Sequence, residues 1–473
     1  MSKKNSFLGR RKVLAGIAAA CGGLAGLGTW ADHMREKSSK IGPGPEIRLD
    51  GYKETQASAM TLRENKSCGD KVSLLGFGCM RYPVMAGENS PRSPKINETA
   101  AFELVDYALA HGVNYFDTAW GYHNGASQLF TGRALKRHPR ESFYLATKMP
   151  GYLKPDLAQA KEIFATQLKN CQVEYFDYYL LHNLSQVAGY QETYEKQGVL
   201  DYLLEEKKRG RIRNLGWSFH GDKAMLEYVL SRDVPWDFCM VQLNYHDMLH
   251  ELVPSPFVKR SVPTPAPTRW MFETISAKHL PMIVMEPLLG GRLARLNGAA
   301  LRILQTVAPE RTAASWAFRY VAGLPNVLCI LSGMTYLEHL KDNLRTFAPY
   351  TPLSDEEKQA LSKALKAFVV ADNIRCTTCG YCMPCPYGVD IPAVFRHHND
   401  LLDDDAVPRA DRDPNYAAAR SSYLASLSRR IPELRTASHC TGCGQCVSKC
   451  PQFIDIPAEM AKLGQFQREL MTV

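Results

Sequence analysis

Between Val72 and Thr346, short apolar runs alternate with longer stretches whose apolar residues recur at helical spacing. The alternation repeats eight times. Strands that alternate with helices of about ten to fifteen residues favour a parallel sheet. Eight such units predict a (β/α)8 TIM barrel rather than an open, doubly wound sheet, and we place this barrel at residues 61–350.

The predicted strands are 72–79, 113–116, 143–147, 176–181, 212–217, 238–243, 282–285 and 327–331. No glycine-rich dinucleotide fingerprint opens the first unit, and Gly290-Gly291 indicates only a turn. Residues 253–268 contain five prolines and are interpreted as a long loop over one end of the barrel.

Polar side chains stand at or just beyond the ends of three consecutive predicted strands. Asp117, Lys148 and His182 each follow an apolar run, and Tyr122 lies five residues after Asp117. In a barrel these positions meet at one rim. An ammonium group beside a phenol lowers the phenol pKa, so Lys148, held by Asp117, would make Tyr122 a general acid or base. His182 would orient a carbonyl, although each residue alone is also a common packing or capping residue.

As a set with this spacing, Asp117, Tyr122, Lys148 and His182 resemble the tetrad of the aldo/keto reductase family. The resemblance runs from about Thr61 to Thr346. It implies reduction of a small-molecule carbonyl, or oxidation of an alcohol, with NAD or NADP. It also implies that Ser218 and Gln242 hold the nicotinamide and that Asp342 and Asn343 contact the adenine.

Other positions depart from the family pattern for the nucleotide. Phe219 stands where the family has Asn, and Glu286 follows the seventh strand where many members have a stacking Tyr. Gly333 and His339 occupy positions where many NADP-dependent members have cations for the 2′-phosphate. The sequence therefore leaves NAD, weakly bound NADP and no nucleotide as alternatives.

Beyond residue 353, the pattern changes to helices and two cysteine runs. Each run ends in Cys-Pro, and together they comprise Cys376, Cys379, Cys382, Cys385, Cys440, Cys443, Cys446 and Cys450. The second run has the bacterial ferredoxin spacing, and the first is one residue shorter before its last cysteine. We predict a small α-helical ferredoxin-like domain over 353–473 with two 4Fe–4S clusters, such as a subset of the family carries.

In two-cluster ferredoxins the fourth cysteine of each run binds the other cluster. One predicted cluster is therefore bound by Cys376, Cys379, Cys382 and Cys450. The other is bound by Cys440, Cys443, Cys446 and Cys385. Two zinc sites or disulfides are the alternatives for eight such cysteines.

Residues 1–31 have a basic start, an Ala- and Gly-rich apolar run and the pair Arg10-Arg11. This segment resembles a twin-arginine export signal, followed by a linker over 32–60, and predicts a periplasmic protein. An uncleaved signal acting as a membrane anchor is the alternative. Five positives of the formal charge of +9 lie in this segment, so the remaining charge does not favour a nucleic-acid partner.

Two functions follow from these features. The first is an exported oxidoreductase of the aldo/keto reductase type with iron–sulfur clusters and a redox partner protein. The second is an iron–sulfur electron-transfer protein whose barrel serves for docking. A third possibility is that the clusters only stabilise the fold. Hydride chemistry moves two electrons at once, whereas a cluster moves one, so the coupling between the two parts is the open question.

Overall fold

The structure is a computed structural model that describes residues 47, 52–88, 92–250, 265–368, 373–410 and 413–472. The predicted signal segment, most of the linker and residues 253–264 of the predicted proline-rich loop lie outside these ranges. Among the helices of the described ranges, none has both the length and the hydropathy that a membrane span requires.

Eight parallel strands form a closed barrel, which confirms the predicted fold class. The barrel strands are β3 Leu75–Gly78, β4 Tyr115–Asp117, β5 Tyr144–Met149, β6 Phe176–Leu184, β7 Ile212–Phe219, β8 Phe238–Gln242, β9 Met282–Met285 and β10 Val327–Ser332. β10 closes the barrel against β3, with Ile330 opposite Leu75. Inward-facing side chains fill the interior, and Tyr115, Tyr178, Phe238 and Ile283 are among them.

The first predicted strand, 72–79, is in fact two strands. β1 Leu62–Asn65 and β2 Asp70–Ser73 form an antiparallel hairpin, and the barrel strand β3 begins at Leu75. The chain turns at Leu74, where the Ser73 hydroxyl donates to the Leu75 carbonyl oxygen. Apolar residues continue through this turn because the hairpin covers the barrel, so periodicity alone did not separate the two strands.

Each barrel strand is followed by a helix on the outside. These helices are Glu98–Ala110, Ala126–Leu135, Leu157–Cys171, Val199–Lys208, Lys223–Ser231, Thr268–Ser276, Ala313–Ala322 and Leu337–Phe347. Within the described ranges, three further α-helices, Val187–Tyr190, Tyr245–Leu249 and Gly298–Val307, interrupt the alternation and were not predicted. Gly298–Val307 begins at an Asn297 cap, whose side-chain oxygen accepts from the Ala300 amide at 2.9 Å.

The helix Asp355–Phe368, which we assigned to the C-terminal domain, packs on the barrel. Its Leu361 and Leu365 share one apolar cluster with Leu304 of the helix Gly298–Val307. Glu357 accepts two hydrogen bonds from Arg319, which is buried in a barrel helix. This helix therefore links the barrel to the cysteine-containing part of the chain.

The C-terminal region contains the helices Ile391–Asp403, Tyr416–Arg430 and Ile456–Thr472. Their small core includes Phe395, Leu427 and Met460, and the side chains of Cys376, Cys382, Cys385, Cys440, Cys446 and Cys450 pack against it. Arg292, after β9, forms an ion pair with Asp403 at 3.0 Å. This contact helps to hold the helical region at the carboxyl end of the barrel strands.

Candidate active site and cysteine clusters

A buried ion pair lies at the carboxyl ends of β4 and β5. The Lys148 Nζ donates to Asp117 Oδ1 at 2.6 Å and to the Thr118 carbonyl oxygen at 2.8 Å. Both charged side chains are at most 2% exposed. Burial raises the pKa of Asp117 and lowers the pKa of Lys148, while their mutual contact opposes both changes. The contact therefore keeps the two charges paired where water does not reach them.

Tyr122 lies over this pair in the short turn Tyr122–Gly125. The turn is tight because His123 and Asn124 both adopt left-handed backbone angles, with φ of 50° and 49°. The Lys148 Nζ is 5.0 Å from the centre of the Tyr122 ring. The Tyr122 ring meets the His182 ring edge-on, with their centres 6.4 Å apart. The four residues of the predicted tetrad are thus brought together at one rim.

His182 is neutral at physiological pH. Burial lowers its pKa well below the usual value, and the nearby charges of Lys148, His220 and Arg92 lower it further. Its Nδ1 is buried and has no hydrogen-bond partner within the described part of the chain. A neutral imidazole in this position can hydrogen-bond to a carbonyl oxygen without adding charge to the site.

The Tyr122 pKa differs from the expectation drawn from the sequence. Burial raises it well above the usual value, and neighbouring Tyr381 and Asp117 add to the increase. Burial outweighs any lowering by Lys148, whose ammonium is paired with Asp117. Tyr122 is therefore protonated at neutral pH and is a candidate proton donor.

Three residues that complete this rim were not predicted from the sequence. Tyr152 meets the His182 ring edge-on, with their centres 5.5 Å apart. Tyr381, from the first cysteine run, meets the His182 ring edge-on, with their centres 6.5 Å apart. Arg92 lies over the Tyr381 ring at 4.7 Å and donates to the carbonyl oxygens of Gly380, at 2.7 Å, and Gly121, at 2.9 Å. Tyr381 is an aromatic residue within a cysteine run, which was a sequence signal for a contact. The spacing of the run does not show that the contact is with His182.

The C-terminal region contacts the mouth of the barrel at other points as well. Arg81, after β3, donates to the Thr377 carbonyl oxygen at 3.0 Å. A Cβ placed on Gly290 would lie 2.6 Å from the Thr377 backbone, so the two segments touch. His220, after β7, hydrogen-bonds to the Pro451 carbonyl oxygen. Both cysteine runs therefore lie against the rim that carries the tetrad.

The last cysteine of each run lies near the other run. The pKa of Cys376 is raised by burial and then by Cys379 and Cys450, and that of Cys382 is raised by burial and then by Cys376, Cys379, Cys450 and Cys446. Burial raises the pKa of Cys446 to about 11, and the neighbouring thiols that contribute are those of Cys440, Cys443 and Cys385. Cys450 is thus close to the first run and Cys385 to the second, as the crossed assignment requires.

Backbone amides donate to several of these sulfurs. The Thr378 amide lies 3.4 Å from the Cys376 Sγ, the Tyr381 amide donates to the Cys379 sulfur, and three amides donate to the Cys450 sulfur. Such donors stabilise the negative charge of cluster thiolates, so the donor set fits 4Fe–4S clusters. The described side chains contain no group of three that converges on a single metal ion. Cubane ligands bind separate irons and need not converge in this way.

The predicted nucleotide-binding residues have partners within the protein. The Ser218 hydroxyl accepts from the Asn183 amide at 2.8 Å, and Asn343 donates to the Ser332 hydroxyl at 3.0 Å. Asp342 accepts from the Thr312 hydroxyl at 2.6 Å and lines a cavity of about 360 Å³. Gln242 ends β8 and is partly exposed.

The residues in the turns after β9 and β10 make contacts with other residues of the protein. Glu286 has a φ of 55° and accepts from the Gly290 amide at 2.7 Å. Burial raises the Glu286 pKa, and Arg81 opposes the change. The Arg81 side chain packs on Gly333, within 3.1 Å of where a Cβ would lie. These turns are where the family resemblance places the nicotinamide and the 2′-phosphate, and Glu286 supplies no aromatic ring that could stack on a nicotinamide.

Two family models match the chain. Residues 75–366 match the aldo/keto reductase family, and residues 375–455 match a 4Fe-4S dicluster domain. The first model suggests a nicotinamide cofactor, and the second suggests iron–sulfur clusters.

Curated relatives match the barrel. The chain is 34% identical over 160 residues to probable aldo-keto reductase 1 of Glycine max, a match covering 32% of this chain and 42% of that protein. It is 25% identical over 316 residues to the uncharacterized oxidoreductase YqkF of Bacillus subtilis, covering 62% of this chain and 93% of that protein. The chain thus spans less than half of the soybean protein and nearly all of the bacterial one.

Among solved structures, a thermostable aldo-keto reductase in complex with the inhibitor epalrestat superposes with a TM-score of 0.51. The sequence identity is 24%, and the match covers 64% of this chain and all of that one. The likeness supports the barrel fold.

Proposed function

The chain belongs to the aldo/keto reductase family, and we propose that it is an exported member that reduces a carbonyl, or oxidises an alcohol, at Tyr122. The chain is an oxidoreductase with an iron–sulfur domain. The observation that carries the proposal is the buried Lys148–Asp117 pair below Tyr122, opposite His182.

Each residue of this set has a role that its position supports. His182 would hydrogen-bond to the substrate oxygen and orient it, since its neutral ring has a free nitrogen. Tyr122 would give its proton to that oxygen as negative charge develops there. Lys148 would stabilise the resulting phenolate, and Asp117 would keep the ammonium charged in a buried position.

We place two 4Fe–4S clusters on the crossed cysteine sets. Cys376, Cys379, Cys382 and Cys450 would hold one, and Cys440, Cys443, Cys446 and Cys385 would hold the other. Such clusters supply electrons one at a time. The family match of the barrel suggests a nicotinamide, which Ser218 and Gln242 would hold and which, when bound, would supply the hydride for the new C–H bond.

The second candidate is an iron–sulfur electron-transfer protein whose barrel is a docking module. The packing of the first cysteine run on the barrel favours it, because Thr377 lies against Gly290 and accepts a hydrogen bond from Arg81. Substrate turnover that depends on Tyr122 is expected only for the first candidate.

The test uses anaerobically purified, full-length protein, with reduced methyl viologen as the electron donor and a panel of aldehydes, ketones and quinones. Tyr122→Phe should lower turnover by about 10²- to 10⁴-fold, since the proton donor is lost. The visible absorbance of the clusters should not change. Tyr387→Phe, at an exposed tyrosine of the C-terminal region, is the control and should leave turnover unchanged.

Undiminished turnover in Tyr122→Phe would remove Tyr122 from the reaction. Absence of turnover in the wild-type protein with every substrate would favour the electron-transfer candidate. NADH and NADPH replace methyl viologen in a parallel assay, and a titration with each, followed by tryptophan fluorescence, shows whether the barrel binds it. Unchanged fluorescence with both would favour the electron-transfer candidate.

We also propose export through the twin-arginine route. Arg10 and Arg11 precede the apolar run of the signal segment, and this route carries folded proteins. Clusters inserted in the reducing cytoplasm could then reach an oxidising compartment intact. Replacing both arginines with lysine should retain the protein in the cytoplasmic fraction, as an immunoblot of fractionated cells would show. Continued export of that variant would contradict the proposal.

A further inference from the structure

Three phenol rings surround one imidazole at the mouth of the barrel. The ring centres of Tyr122, Tyr152 and Tyr381 lie 6.4, 5.5 and 6.5 Å from that of His182. Two of these tyrosines come from loops of the barrel, and Tyr381 comes from the first cysteine run. Tyr152 is 43% exposed, so the group reaches solvent on its side. The site is therefore shared by both parts of the chain and is mainly aromatic.

Arg92 fixes the two parts relative to each other. Its guanidinium donates to the carbonyl oxygen that precedes Tyr122 and to the one that precedes Tyr381, and it also covers the Tyr381 ring. A cation held over an aromatic ring by two hydrogen bonds restricts the movement of that ring. The position of Tyr381 opposite His182 is thus determined by specific contacts.

The surroundings of this site restrict the kind of substrate that it can use. Tyr381 lies between Cys379 and Cys382, and its amide donates to the Cys379 sulfur. The family match of this region is to a domain whose clusters exchange single electrons. A single electron added to a simple aldehyde or ketone is confined to one C–O bond, which is energetically costly. In a quinone it is delocalised over a conjugated ring.

Aromatic side chains also suit a flat conjugated ligand better than an aliphatic one. Offset and edge-on contacts between rings stabilise a complex beyond the burial of surface. Tyr122 can protonate one oxygen of a quinone. Solvent on the exposed side of Tyr152 can protonate the other.

We propose that the rim formed by Tyr122, Tyr152, His182 and Tyr381 binds a quinone. This proposal rests on the proposed function and names its substrate class. The quinone takes up two electrons and two protons and becomes a hydroquinone, with both protons on oxygen and no new C–H bond. An external one-electron carrier supplies the electrons and is oxidised twice for each quinone reduced. Tyr381 is a substrate-contacting residue supplied by the C-terminal region.

Binding is measured first, by calorimetric titration of the oxidised, cluster-containing, full-length protein with menadione. The wild-type protein should bind menadione in a saturable manner, and 2-decanone should not bind. Tyr381→Ala should weaken binding at least tenfold, whereas Tyr381→Phe should change it less than twofold, because the ring and not the hydroxyl makes the contact. Tyr387→Ala, at an exposed tyrosine of the same region, should bind as the wild type does.

Cluster content and the electron paramagnetic resonance spectrum of the reduced protein show whether Tyr381→Ala keeps its fold. If that variant loses clusters, Arg92→Gln replaces it, since it loosens the Tyr381 ring without replacing a residue of the cysteine run. Equal menadione affinity in the wild type and the folded variant would overturn the proposal.

Assays of menadione and hexanal reduction distinguish the quinone site from the proposed carbonyl chemistry. Binding of menadione without reduction of either menadione or hexanal would leave a quinone-binding site standing and refute the proposed function. Reduction of hexanal that depends on Tyr122, without binding of menadione, would refute the quinone site and leave the proposed function standing.

Discussion

At the scale of single residues, the site depends on two charges buried together. Lys148 and Asp117 are almost fully enclosed, and Asp117 Oδ2 has no hydrogen-bond partner within the described ranges. Removing water from both groups is costly, so the pair is stable only while both members are present. Because Lys148 is paired with Asp117, burial dominates and the Tyr122 pKa is raised.

Lys148→Met should therefore destabilise the barrel strongly. It leaves Asp117 buried without its partner, and losses of about 3–5 kcal/mol are typical when one partner of a buried pair is removed. Lys196→Met is the matched control, because Lys196 is 69% exposed and pairs with Glu192 on a helix surface at 3.2 Å. That change should cost less than about 1 kcal/mol.

Urea unfolding followed by tryptophan fluorescence measures both variants, since Trp217 and Trp316 are buried in the barrel part of the chain. Similar losses of unfolding free energy in the two variants would show that the Lys148–Asp117 pair contributes no more than a surface pair.

At the scale of elements, the first cysteine run is held by the turn after β9. Gly290 has a φ of 66°, and Thr377 lies directly against it. Gly291, next in the chain, has a φ of 94° and nothing within 4 Å of its Cβ position. The left-handed backbone favours glycine at both positions. Only at Gly290 would a side chain also collide with a neighbouring residue, Thr377.

Gly290→Ala and Gly291→Ala should separate these two effects. Each introduces a side chain at a left-handed backbone position, at a cost of about 1–2 kcal/mol. Only Gly290→Ala also pushes Thr377 away from the rim. It should therefore alter the visible circular dichroism of the clusters and slow quinone reduction, while Gly291→Ala leaves both as in the wild type. Identical spectra and rates in the two variants would show that this contact does not position the cysteine run.

At the scale of the whole molecule, the two parts of the chain differ in how they are stabilised. The barrel has a large apolar core between its strands and helices. The core of the C-terminal region is small, and six of its cysteines pack directly on it. When a metal group is bound only in the folded state, its binding free energy also stabilises the fold.

Removal of the clusters should therefore unfold the C-terminal region and leave the barrel folded. After anaerobic treatment with an iron chelator, limited proteolysis should cut within residues 373–472 and spare residues 62–347, as mass spectrometry would show. The untreated protein under the same conditions is the control and should resist cleavage in both parts. Cleavage spread evenly over both parts would mean that the barrel also depends on the clusters.

The elements of the barrel and the residues that form the tetrad were predictable from the sequence. Apolar periodicity reports burial within one element, and the ends of parallel strands meet at one rim whatever the details of packing. Asp117, Lys148 and His182 are therefore close to one another as a consequence of topology. The hairpin before β3 and the helix Gly298–Val307 were missed because local patterns do not show which neighbour covers an apolar run.

By itself, the sequence determined the strand–helix alternation, the polar residues at the strand ends and the spacing of the cysteines, because these are properties of neighbouring residues. Only the tertiary structure decided that Tyr381 and Arg92 join the site, that Thr377 fills the space beside Gly290, and that the Tyr122 pKa rises. Arg92 and Gly380 are 288 residues apart in the chain. Burial and electrostatic fields depend on everything that surrounds a group, and a linear pattern does not contain that information.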